Sequence, residues 1–80
     1  MIKVEVVLFA TLRKYNPGGE SSEPFYLEMP EGSTIDDLLK TLKIPVRESK
    51  QVFINSRRQE WDYLLQNGDR AAIFPPIAGG

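Results

Sequence analysis

Apolar and polar residues alternate from Ile2 to Phe9, which predicts a half-buried strand. Ile2, Val4, Val6 and Leu8 fall on one face, the core face. Lys3, Glu5, Val7 and Phe9 fall on the other, which begins charged and ends apolar. Ala10–Tyr15 is either one helical turn or an irregular exit, and residues 16–23 form a polar loop with two glycines. Alternation returns over Pro24–Met29: Phe25, Leu27 and Met29 lie on one face, Tyr26 and Glu28 on the other. The two strands are expected to form an antiparallel hairpin.

The period then changes. Ile35, Leu38, Leu39 and Leu42 stand at i, i+3, i+4 and i+7, the apolar stripe of one short helix. Thr34 is its N-cap, with Asp37 three residues on as a weak capping box. Asp36 and Asp37 suit the positive end of the helix dipole, and Lys40 and Lys43 the other end. Pro45 prevents continuation. After a charged connector, Gln51–Ile54 reads as a short strand and Asn55-Ser56 as a turn. Gln59–Trp61 is a candidate brief strand. Asp62–Leu65 resembles one helical turn that packs Leu64 or Leu65 inward, with Trp61 partly in the core. Asn67-Gly68-Asp69 is a turn, and Arg70–Phe74 is the last strand. Ala71 and Ile73 face one way in it, Ala72 and Phe74 the other. The order β–β–α–β–(β)–β is an α+β arrangement, one helix on one mostly antiparallel sheet. If the last strand lies beside the first, Ile73 joins Val6 and Leu8 in the core, and Phe74 meets Phe9 on the outer face.

The stretch after Phe74 breaks the pattern. Pro75 and Pro76 stop the strand, because proline has no N–H for a ladder. A Pro-Pro pair favours an extended path. The six residues Pro75–Gly80 reach roughly 20 Å when extended, enough to thread a partner's active site. Ile77 is the only large side chain beyond the prolines. Gly79 and Gly80 carry no Cβ, so they suit a narrow channel. The organisation expected is a domain over 1–74 and a flexible extended tail over 75–80.

Composition narrows the chemistry. The 80 residues are 41% hydrophobic and 26% charged, enough for one small soluble domain. There is no cysteine and no histidine, which excludes disulfides, thiol nucleophiles, serine–histidine chemistry and a zinc site. A formal net charge of −1 argues against a nucleic-acid partner. No apolar run has membrane-spanning length and no signal peptide opens the chain, so a cytoplasmic location is expected, with no membrane partner.

These features together resemble the ubiquitin-like β-grasp sulfur carriers of the MoaD/ThiS family, across essentially the whole chain. The most specific element is Asn67-Gly68-Asp69 followed by Phe74-Pro75-Pro76-Ile77-Ala78-Gly79-Gly80. Leu8-Phe9-Ala10 with Leu12-Arg13, the helix opening at Thr34, and Asn55 after an apolar strand support it. Two positions depart from the family's usual pattern. Lys14 stands where an acidic residue is common, and Ser56 where Gly is common.

The resemblance implies a mixed sheet of four to five strands packed on one main helix. It implies a carrier with no catalytic side chains and no bound cofactor, similar to the small subunit of molybdopterin synthase. An adenylating enzyme of the ubiquitin-activating type would use ATP to activate the Gly80 carboxylate. A sulfur donor would convert it to a thiocarboxylate, which donates sulfur to a pterin precursor in molybdenum or tungsten cofactor biosynthesis. Gly79, Ala78 and Ile77 would thread into a large catalytic subunit. Phe9, Arg13, Phe74, Pro75 and Pro76 would bind partners. For Phe9, incidental exposure is an equal alternative, and for Arg13, as for Arg57 and Arg58, solvated surface is the commoner fate. The Phe-Pro-Pro ending, the Leu-Arg element and the long first loop favour the pterin pathway. A carrier for thiamine-thiazole or another thiolation route, a protein modifier conjugated through Gly80, and a plain interaction module remain open.

Overall fold

The structure is a computed structural model that describes residues 1–76. It has five strands: β1 (Ile2–Leu8), β2 (Phe25–Met29), β3 (Gln51–Ile54), β4 (Arg57–Gln59) and β5 (Arg70–Phe74). One helix, α1, spans Ile35–Thr41. The sheet order is β2-β1-β5-β3-β4. β1 and β5 are parallel at its centre, and the other neighbours are antiparallel. The expected mixed sheet with one main helix is present. Among the described residues no helix is long and apolar enough to cross a membrane.

The pairing register fixes the core. Val6 lies opposite Ala71 and Leu8 opposite Ile73, with Val52 opposite Ile73 on the far side. Their side chains share one face with Ile2, Val4, Met29 and Ile54, and all are buried. Ile35, Leu38 and Leu39 of α1 join the same cluster, with Leu12, Ile44 and Leu65 closing its margins. Full burial of each such side chain contributes about 1.5–3 kcal/mol before entropy is counted. Phe25, Leu27, Leu42, Trp61 and Tyr63 are partly buried against this cluster.

Four local expectations are revised. β1 ends at Leu8, so Phe9 lies outside it. Phe9 is still extended (φ −117°, ψ 153°) and leads into a 3₁₀ turn at Ala10–Tyr15. β4 is Arg57–Gln59, not Gln59–Trp61. Asn55 and Ser56 form a two-residue connection with φ of 53° and 73°, as a type I′ hairpin needs, so Ile54 pairs with Arg57 at once. Asp62–Leu65 is not a helical turn. The carbonyls of Trp61 and Tyr63 instead accept the Asp36 and Ile35 amides of α1 at 3.0 and 3.2 Å, and Leu64 bridges Thr34. Leu65 is buried and Leu64 exposed. Finally, α1 stops before Pro45 acts. The Lys43 amide bonds the Lys40 carbonyl and the Ile44 amide that of Leu39, with Lys43 at φ 61° and Ile44 buried beneath the turn. That is a Schellman ending, with lysine where glycine is usual.

The first turn of α1 thus has a partner for every amide. Ile35 and Asp36 bond the Tyr63 and Trp61 carbonyls, and Leu38 bonds the Thr34 carbonyl. The Asp37 amide donates to Thr34 Oγ1 at 3.2 Å, and the Thr34 amide donates to Asp37 Oδ2 at 2.9 Å, a complete capping box. The Thr34 amide, with its hydroxyl next, holds the Asp37 carboxyl below its ordinary value.

Two measurements follow from these local features. Ser56→Gly relieves a left-handed β-hydroxy residue and is expected to stabilise the domain by about 0.5–1 kcal/mol in urea unfolding. Thr34→Ala is expected to cost about 1 kcal/mol at neutral pH. Because the native carboxyl of Asp37 is depressed, its contribution is present above the ordinary carboxylate pKa and lost as pH falls through the native value. An acid titration of stability should therefore be shallower in Asp37→Asn than in the wild type.

Candidate functional site

Because β1 and β5 run parallel with Leu8 opposite Ile73, the next residues emerge side by side on the face away from α1. The Phe9 and Phe74 rings stack there, 4.5 Å between centroids and 3° from parallel. Phe53 meets Phe74 edge-on at 5.6 Å and 83°. Phe53 reaches this face because Val52 and Ile54 point into the core and β3 lies on the other side of β5. Val7 is only 4% exposed although it points to the same face, beside Ala72. The small side chain of Ala72 leaves a groove of about 370 Å³, lined by Phe53, Ser56, Arg70, Ala72 and Phe74.

The backbone holds this patch up to the point where the chain leaves the sheet. The Phe9 amide donates to the Ile73 carbonyl at 3.3 Å, and the Lys50 amide to the Phe74 carbonyl at 2.9 Å. The backbone is therefore tied to β1 at Ile73 and toward β3 at Phe74, and Pro75 follows with no amide to extend either ladder. Pro75 is half-buried and Pro76 exposed. Ile77, Ala78, Gly79 and Gly80, to which threading and reactivity were assigned, lie outside the described residues.

Arg13 is exposed on the 3₁₀ turn that begins next to Phe9. Its Nε donates to the Ala10 carbonyl at 3.1 Å. Lys14, at the position where the family often has an acid, lies 3.7 Å from Glu48. Tyr15 donates to the same carboxylate at 2.8 Å, and this bond raises its pKa. Arg57 and Arg58 are exposed, with Arg58 3.4 Å from Glu60.

The Asn67-Gly68-Asp69 motif is a staple rather than a reactive site. Asn67 Oδ1 accepts the Lys3 amide, and the Gly68 amide donates to the Lys3 carbonyl, with Gly68 at φ 88°. The Asp69 carbonyl accepts the Glu5 amide. The buried Asp69 carboxylate accepts from Asn55 Nδ2 at 2.9 Å, the Gln66 amide at 2.8 Å and the Tyr63 hydroxyl at 3.2 Å. Burial and this carboxylate push the Tyr63 pKa up. Asn55 Oδ1 in turn accepts the Arg70 amide. The motif thus sets the start of β5 against β1 and β3, and so sets where Phe74 arrives.

The groove on the aromatic face is lined by no acidic residue, and among the described residues no group of acidic residues is placed to hold a metal. The sequence pattern brought Phe9 and Phe74 together, with Ala72 on the same face, but left out Phe53 and Arg70. The alternation of Gln51–Ile54 was the available signal for Phe53.

A mixed sheet on one helix, with its last strand paired parallel to its first, defines a ubiquitin-like β-grasp domain. Residues 6–80 match the ThiS family. The molybdopterin synthase sulfur carrier subunit of Arabidopsis thaliana is 32% identical over 87 residues, covering 99% of this chain and 84% of that relative. The chain belongs to the ThiS family. Molybdopterin converting factor subunit 1 from Pyrococcus furiosus superposes with a TM-score of 0.74 at 26% identity, over 96% of this chain and 100% of that one. Small archaeal modifier protein 1 from Methanosarcina acetivorans gives 0.68 at 25% identity, over 100% and 98%. These relationships support the sulfur-carrier role.

The stacked pair is open to a direct energetic test. A double-mutant cycle on Phe9→Ala and Phe74→Ala, read by urea unfolding, is expected to give a favourable coupling of about 0.5–1.5 kcal/mol. No coupling would mean that the rings do not hold each other in solution.

Proposed function

We propose that this chain is the sulfur-carrying small subunit of a molybdopterin synthase. The Gly80 carboxylate attacks the α-phosphorus of ATP on an adenylating enzyme, and pyrophosphate leaves. A sulfur nucleophile then attacks the acyl carbon and displaces AMP, leaving a thiocarboxylate. The free α-carboxyl has a pKa of about 3.3–3.7, so the attacking anion is available at neutral pH. The tail Ile77-Ala78-Gly79-Gly80 enters the large catalytic subunit, where its sulfur passes to the pterin precursor. Phe9 and Phe74 form the docking surface, Pro75 and Pro76 direct the tail from it, and Arg13 contacts a carboxylate on a partner. The domain over 1–74 presents the tail, and the reaction takes place in the cytoplasm.

The observation that carries this reading is the position of the stacked Phe9–Phe74 pair at the residue where the chain leaves the sheet. A partner that covers the pair also receives whatever follows Pro76. The relationship to a molybdopterin synthase sulfur carrier subunit supports the choice of pathway. A second reading is favoured by the likeness to a small archaeal modifier protein: conjugation through Gly80 to lysines of other proteins, by the same activation.

Intact mass spectrometry tests the carrier chemistry. The purified chain is incubated with ATP, sulfide and its host's adenylating enzyme, beside a variant lacking Gly80. The expected result is a mass gain equal to one oxygen exchanged for sulfur in the wild type alone. No gain, with the enzyme shown active on another carrier, would contradict the sulfur reading. Isopeptide-linked adducts in cells would then favour the modifier.

A further inference from the structure

The groove beside Phe74 is not uniformly apolar. Phe53, Ala72 and Phe74 form one end, and Arg70 stands at the other with Ser56. Arg70 lies two residues before Ala72 on β5, so it shares the aromatic face. Its side chain is exposed, and among the described residues it forms no ion pair. Glu5 is its cross-strand neighbour by register, yet the two make no ion pair. Arg58, opposite Phe53, has Glu60 beside it. Among the described residues Arg70 is thus the cation that lines this groove, and it has no internal ion-pair partner; Lys3, further along the same face on β1, lies outside the groove. A formal net charge of −1 for the chain means that this local positive end is not part of a general basic excess.

Arg70 is also not a structural necessity by its side chain. The backbone of β5 is held there by the Asn55 side chain on the Arg70 amide and by the Asn55 amide on the Arg70 carbonyl. Neither bond uses the guanidinium.

We propose that this groove reads a two-part element on a partner protein: an apolar side chain laid over Ala72 against Phe53 and Phe74, and an Asp or Glu carboxylate on Arg70. The inference rests on the docking role of this face proposed above and adds what the partner must present. An exposed arginine–carboxylate pair contributes little in water. Here the apolar residue that fills the groove also excludes water from one side of the guanidinium, and its planar fork donates two hydrogen bonds to a carboxylate. Charge at such a margin governs encounter rate and partner choice more than raw affinity.

The experiment is a calorimetric titration of the full chain onto the large subunit of molybdopterin synthase from the same host, at low and high salt. Variants are Arg70→Glu and Arg70→Lys, with Arg57→Glu as the matched charge change. Arg57 pairs with Ile54, so its side chain lies on the opposite face. Thermal unfolding of each variant confirms the fold. The expected result is binding that weakens with salt in the wild type, a loss on the order of tenfold or more in Arg70→Glu, a smaller loss in Arg70→Lys, and none in Arg57→Glu. Equal binding by Arg70→Glu, or an equal loss in Arg57→Glu, overturns the inference and leaves docking through the aromatic face standing. Failure of the wild type to bind at either salt overturns the docking role itself, and this inference with it.

Discussion

The parallel pairing of β1 with β5 is the constraint on which the rest of the structure depends. These strands come from opposite ends of the chain and lie at the centre of the sheet. Their register, Val6 on Ala71 and Leu8 on Ile73, places one set of side chains against α1. Because alternate residues point to opposite faces, the same register places Phe9 and Phe74 together on the other side. A slip by one residue would turn Ile73 out of the core and Phe74 into it. Core stability and the aromatic face are therefore set by one choice of register.

Several distant polar bonds defend that choice. Asn67, Gly68 and Asp69 grip the backbone of Lys3 and Glu5 just before β5 begins. The Asp69 carboxylate gathers Asn55, Tyr63 and Gln66, and so ties the β3–β4 turn to the same point. The Asp69 carboxylate is itself buried, so removing its donors would leave a buried charge short of partners, which is costly. The segment 61–65 does comparable work for α1 by supplying carbonyls to its first amides. The helix is only seven residues long and would not persist alone. Tertiary contacts supply the partners of its first two amides, and a local capping box and Schellman turn complete the rest of its ends.

Much of this was legible in the chain. The period-two runs at Ile2–Leu8 and Phe25–Met29 and the period-3.6 stripe of α1 are strong local signals, and they located those elements to within a residue or two. The meeting of Phe9 and Phe74 followed from two alternation patterns and one topological assumption. What was not legible depends on contacts across the fold. β4 has three residues and its placement is dictated by the left-handed pair Asn55-Ser56, where serine hides the usual glycine signal. Segment 61–65 carries apolar residues at helix-like spacing, yet its carbonyls are drawn to α1 rather than to its own amides. Phe53 joined the aromatic face because β3 sits beside β5, a neighbour relation that no local pattern states.

The central claim is that partners dock on the sheet face built by the β1–β5 register, at the base of the tail. The most direct measurement is a heteronuclear NMR titration of the isotope-labelled chain with the large subunit of molybdopterin synthase from its host. Amide shifts are expected to cluster at Phe9, Phe53, Ala72 and Phe74 and to continue beyond Pro76. Shifts centred on α1, with the aromatic face unchanged, would contradict the account.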